Sequence, residues 1–156
     1  MSDPEKRIQE LHLTLPTPPK PMAKYKPAVL AGNMLYVSGH GPAKVSDKTP
    51  LAGRVGADLS TEQGKDCARA VGINILATVR ATLGSLDKVK RLVKTLGMVN
   101  CTPDFKEQPQ VINGFSELMA DVFGDEAGVG ARSAVGTNAL PGSIAVEIEC
   151  IFELQS

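Results

Sequence analysis

Apolar side chains recur at helical spacing after Ser60. Val71, Ile75, Val79 and Leu83 stand four residues apart, flanked by Ala68 and Leu76, and make one stripe along an otherwise polar segment. "STEQ" at its head lets Ser60 cap the first turn while Gln63 reaches back, and Gly84 stands where a left-handed C-terminal cap belongs. The spacing predicts a helix of about 24 residues, about 36 Å long, which needs a sheet to cover its stripe. A second stripe, Val111, Phe115, Leu118, Met119 and Val122, runs from Pro109, a residue suited to a first helical turn, to Gly124.

Strand patterns surround these helices. "AVLAGNMLYVSG" reads as two short strands joined by Gly32-Asn33, a two-residue hairpin turn, with Ser38-Gly39 closing the second strand. A glycine there either turns the chain or admits close approach of a ligand. Val89 to Cys101 predicts a further strand, and "GARSAVGTNALPGSIAVEIECIFEL" a closing hairpin. Residues 4–12 predict a short helix. Five prolines between Pro16 and Pro27 then force an extended path, either a surface linker or one wall of a pocket. The division expected is an arm over residues 1–26 and a domain over 27–156. The order hairpin, helix, strand, helix, hairpin predicts an α+β fold, a mixed sheet with two helices packed on one face.

Parity within the last hairpin frames the chemistry. Ile144, Val146, Ile148, Cys150, Phe152 and Leu154 share one face, expected to be core, and leave Glu147, Glu149 and Glu153 on the other. Matching Ser133, Val135 and Thr137 to the core would put Arg132, Ala134 and Gly136 on the glutamates' side. Arg132 and Glu147 are then either an exposed cross-strand ion pair or part of a pocket for a small acid, whose floor the small residues clear.

Composition narrows the choices. With 17 basic and 17 acidic residues the chain is neutral, which argues against a nucleic-acid partner. The one basic cluster, Lys88, Lys90, Arg91 and Lys94, reads as a solvated strand face. His12 and His40 lack companions at metal-ligand spacing, so no metal is expected. Cys67, Cys101 and Cys150 read as buried thiols in a reducing compartment. No apolar run approaches the roughly 18 residues of a membrane span, and the start is charged, so a cytoplasmic protein with no membrane partner is expected.

"ARSAVG", "LP" and "AVEIE", with "GNMLYVSG" and "VINGFSEL", resemble the YjgF/RidA superfamily, also labelled endoribonuclease L-PSP or reactive-intermediate deaminase. The resemblance runs from about Pro27 to Leu154 and is nearer a longer-chain branch than the best-known deaminases. It implies a chorismate-mutase-like fold, assembled as a homotrimer whose sheets form a central barrel with clefts between subunits. It also implies hydrolysis of 2-imino acids or enamines to 2-keto acids and ammonia, without a cofactor. In the residues that match, Arg132 binds the substrate carboxylate and Glu147 positions or activates water. Tyr25, Ser38, Gly39, His40 (in place of a frequent glutamine), Asn113 and Ala134 (in place of a frequent cysteine) line the same site. The alternatives implied are a non-catalytic trimer that binds a keto acid or other small carboxylate, and an endoribonuclease.

Overall fold

The computed structural model describes residues 3–156; the first two residues of the arm lie outside them. The elements expected from the sequence form, with one exception in how the last strands pair. The first hairpin forms as β1 (Ala28–Ala31) and β2 (Met34–His40), paired antiparallel around Gly32, whose φ of 62° suits the turn. Helix α2 (Thr61–Leu83) begins with the full reciprocal capping box of Ser60 and Gln63 and ends on left-handed Gly84. A single 3-10 turn leads to β3 (Val89–Asn100), and α3 (Gln108–Phe123) carries Pro109 in its first turn. A four-residue helix α4 (Asp125–Gly128), then β4 (Ala131–Thr137) and β5 (Val146–Leu154), complete the domain.

The sheet has five strands in the order β1-β2-β5-β3-β4. Both helical stripes are fully enclosed against it: Val71, Ile75 and Val79 from α2, and Val111, Phe115, Leu118, Met119 and Val122 from α3, meet Val146, Ile148 and Phe152 from β5. The helices approach each other so closely at Gly114 that a Cβ there would stand 2.0 Å from the Lys65 carbonyl oxygen. Glycine is thus a steric requirement at that crossing, where helix propensity alone would favour alanine.

The closing hairpin does not form. β5 inserts between β2 and β3, antiparallel to both, while β4 lies at the sheet edge, parallel to β3. The segment β3-α3-β4 is a strand-helix-strand crossover, and a helical return brings the next strand back parallel to the first. This reverses the face assigned to Arg132. Arg132 pairs with Thr95 and Ala134 with Gly97, and a Cβ on Gly97 would strike Ile112 of α3, so these residues face the helices. Glu147 pairs with Met98 on the opposite, open face, together with Glu149, Ser133 and Val135. Ala134 and Gly136 are small because α3 and Gln108 rest over them; the Gln108 amide would lie 3.1 Å from a Cβ at 136.

The basic cluster is not one solvated face either. The ladder slips between Val89 and Arg91 and again between Leu92 and Lys94, which breaks strict alternation. Lys88 donates to the Leu83 carbonyl at the end of α2 (2.6 Å), and Lys90 and Arg91 both grip Glu153 (3.0 and 2.6 Å).

Helix α1 (Pro4–Glu10) folds back on its own chain. Glu5 receives two hydrogen bonds from Arg80 (3.2 and 2.7 Å) and one from the Leu86 amide, Arg7 donates to the Asp121 carbonyl, and Ile8 is buried. Leu11, Leu13 and Leu15 continue that packing before the proline-rich stretch turns towards β1.

Candidate functional site

The expected site residues gather into two groups. The first surrounds Arg132 at the sheet edge. Its Nη1 donates to Asn113 Oδ1 (2.8 Å) and Ser116 Oγ (3.1 Å), and Nη2 reaches the Pro109 carbonyl (3.5 Å). Asn113 and Ser116 are three apart on α3 and so share a face. All three partners are neutral, and among the described residues no carboxylate forms an ion pair with this guanidinium. The cation is therefore oriented but not neutralised, which leaves donors for an anion. Ala134 is two residues along the strand, half-buried beneath α3. Ser116, a partner the sequence reading did not single out, has the signal of spacing alone: it falls one turn after Asn113.

The second group lies around Glu147. The β2-β5 register pairs Val37 with Cys150 and His40 with Ile148, so Ser38 and Gly39 together oppose Glu149 in a β-bulge. The bulge presses Gly39 against the Glu147 carboxyl: a Cβ at 39 would stand 3.1 Å from both Cδ and Oε1. Burial, and secondarily the neighbouring Glu149 charge, push the Glu147 carboxyl above its ordinary range. Glu153 on the same strand is held below that range, chiefly by its hydrogen bond from Lys90. No such cation pairs with Glu147 among the described residues. Ser38 Oγ donates to the Lys26 carbonyl (2.6 Å) and its amide to Pro27 (2.9 Å), which ties the end of the proline-rich arm, with half-exposed Tyr25, to this group.

His40 lies behind the second group, buried under it. It is 5% exposed, with Nδ1 2.6 Å from the Ser38 carbonyl and Nε2 2.8 Å from Thr78 Oγ1 on α2. Its burial lowers its basicity. The three cysteines are free and buried, and burial pushes the Cys67 thiol up to about 12. Among the described residues no cluster of histidine, cysteine and carboxylate suits a metal ion.

Within one chain the two groups cannot share a ligand. Arg132 and Glu147 stand on opposite faces, two strands and three residues apart, a Cα separation on the order of 14 Å from standard sheet spacings. The open face carries half-exposed Val29, Tyr36 and Val135, and its groove is lined by Tyr36, Ser38, Lys94, Ser133 and Glu149 but by neither Arg132 nor Glu147.

A mixed sheet with two helices on one face, an edge arginine beside a helix and a glutamate facing a bulge in the neighbouring strand define an α+β domain of chorismate-mutase-like architecture. The chain belongs to the YjgF/RidA family: the family model described as "YjgF/chorismate_mutase-like, putative endoribonuclease" matches residues 5–152. Protein TCP17 of Trypanosoma cruzi is 40% identical over 149 residues, 96% of this chain and 92% of that one. A crystal structure of a protein of unknown function from Agrobacterium tumefaciens is 40% identical with a TM-score of 0.86, over 97% of this chain and 92% of that one. A "putative endoribonuclease" from Shewanella oneidensis MR-1 superposes with a TM-score of 0.89 at 25% identity, over 97% and 99%. Among the described residues no helix is long and apolar enough to cross a membrane.

Proposed function

We propose that this protein hydrolyses 2-imino acids, or their enamine tautomers, to 2-keto acids and ammonia in clefts between the subunits of a homotrimer. The observation that carries the reading is the guanidinium of Arg132, held in place by Asn113 and Ser116 with no anionic partner. A planar cation so fixed accepts a carboxylate through two parallel hydrogen bonds. The second group supplies a proton acceptor, Glu147, whose carboxyl is held above its ordinary range by burial and the Glu149 charge, making it a stronger base.

The two groups lie too far apart to act on one small molecule, so a second copy must bring its Glu147 to this copy's Arg132. The apolar residues on the open face support such an assembly, because Val29, Tyr36 and Val135 gain by burial. In the cleft Arg132 fixes the carboxylate, water adds to the imine carbon, and Glu147 takes a proton from that water and returns one to the departing nitrogen. The imine is already electrophilic, so positioning contributes most of the acceleration.

Ammonia release from 2-iminopropionate or 2-iminobutyrate, generated in place by an amino-acid oxidase, tests the reading. Release that falls sharply in Arg132→Ala is expected; release equal to buffer in the wild type would contradict it. A keto-acid-binding trimer without turnover is the second reading, favoured by Ala134, which offers no reactive group beside Arg132. The neutral chain argues against the ribonuclease reading.

A further inference from the structure

We propose that His40 is a positioning residue: its Nδ1–H, bonded to the Ser38 carbonyl, fixes the Ser38-Gly39 bulge in the shape that seats the Glu147 carboxyl. The bulge needs such a device. Two residues of β2 oppose the single Glu149, so the ladder by itself does not dictate where Ser38 and Gly39 lie. A slip of a few tenths of an ångström at Gly39 bears on Glu147, since a Cβ at 39 would stand only 3.1 Å from its carboxyl.

The chemistry of the contacts sets the tautomer. A carbonyl only accepts, so Nδ1 carries the hydrogen in the 2.6 Å contact with Ser38. Neutral Nε2 then holds a lone pair and accepts the Thr78 hydroxyl at 2.8 Å. Thr78 belongs to the 23-residue helix α2, and its hydroxyl occupies Nε2, which leaves the hydrogen on Nδ1 to hold the Ser38 carbonyl. No carboxylate or cation of the described residues pairs with the ring, which is consistent with a neutral, buried imidazole.

Two replacements separate the bonds. His40→Asn keeps an amide donor at the position of Nδ1, three bonds from Cα, and loses the reach to Thr78. His40→Gln places its amide one bond farther, at the position of Nε2, and abandons the Ser38 carbonyl. The carbon-13 titration of the Glu147 carboxyl, followed in the assembled protein, reads the seating directly. His40→Asn should titrate like the wild type, whereas His40→Gln should move Glu147 down towards the ordinary carboxylate range.

The catalytic consequence rests on the deaminase reading. There, kcat should fall by up to roughly 100-fold in His40→Gln with KM within about threefold, because the Arg132 group is untouched. Melting temperature does not mimic this order, because asparagine leaves the larger void and is the less stable variant. Thr78→Val, which spares Nδ1–H, should leave Glu147 where it is. Equal shifts in the asparagine and glutamine variants, no shift in either, or a shift in Thr78→Val as large as in His40→Gln would overturn the proposal. A wild type that hydrolyses no imine contradicts the deaminase reading and leaves the titration to decide the role of His40.

Discussion

Gly39 and Glu147 face each other across the seam between β2 and β5 with little room to spare: a Cβ at 39 would lie 3.1 Å from the carboxyl carbon. The obstacle is the far end of a flexible side chain, so Gly39→Ala should fold, with stability within about 1 kcal/mol of the wild type. The carboxyl must give by a few tenths of an ångström, and kcat should fall several-fold if the proton acceptor loses its alignment, as about 1 Å of misplacement can cost 100-fold. Steady-state kinetics beside a thermal melt checks both halves. Unchanged turnover would remove Glu147 from the chemistry.

Glu149 raises the pKa of Glu147 from the next position on the open face. Glu149→Gln removes that repulsion. The acid limb of kcat/KM should then move to lower pH, since the unprotonated base survives further into acid. A pH-rate profile reads the shift; a move in the other direction would exclude Glu147 as the group that titrates.

Arg132 is the cation that hydrogen-bonds to Asn113 and Ser116. Arg132→Ala should reduce kcat/KM by roughly 10 to 150-fold, the value of charged hydrogen bonds worth about 1.5 to 3 kcal/mol. Arg132→Lys should recover little, because an ammonium cannot make the paired contact. Asn113→Ala should raise KM more than it lowers kcat, as the guanidinium loses an orienting acceptor. Initial rates over a substrate series measure each.

His40 also sets a pH limit on stability. Its burial lowers its pKa in the folded state below the ordinary 6.5, so in acid the unfolded chain binds the proton first. Protons taken up on unfolding favour unfolding as pH falls. Stability should therefore decline as pH falls from about 6.5 through the folded-state pKa, and be unaffected by this group above about pH 6.5. Denaturant melts at a series of pH values should show that decline in the wild type and less of it in His40→Asn.

The fold was legible where local chemistry decides it. The Ser60-Gln63 box, Gly84, the Gly32 turn and the two apolar stripes each specify an element within a few residues, and each forms. The pairing of the last strands was not legible in the same way, because alternation fixes which residues share a face within a strand but not which strand lies beside it. β4 and β5 are consecutive in sequence, and their turn says nothing of β3 standing between them. The consequence fell on the site: Arg132 and Glu147 were each readable, their common face was not, and the run Ala134-Gly136 that looked like cleared space is the bed of α3. His40 follows the same lesson, since its neighbour Thr78 is 38 residues away and only the packing of α2 on β2 brings them together.

The central claim is that a site is completed by Arg132 of one copy and Glu147 of another. Arg132→Ala and Glu147→Gln proteins, each strongly impaired alone, should be unfolded together in equal amounts, refolded and assayed for ammonia release. Random assembly gives any one cleft both intact residues with a chance of about one in four, so about a quarter of wild-type activity should return. Activity no higher than that of the separate variants would show that the two residues do not act across a subunit boundary.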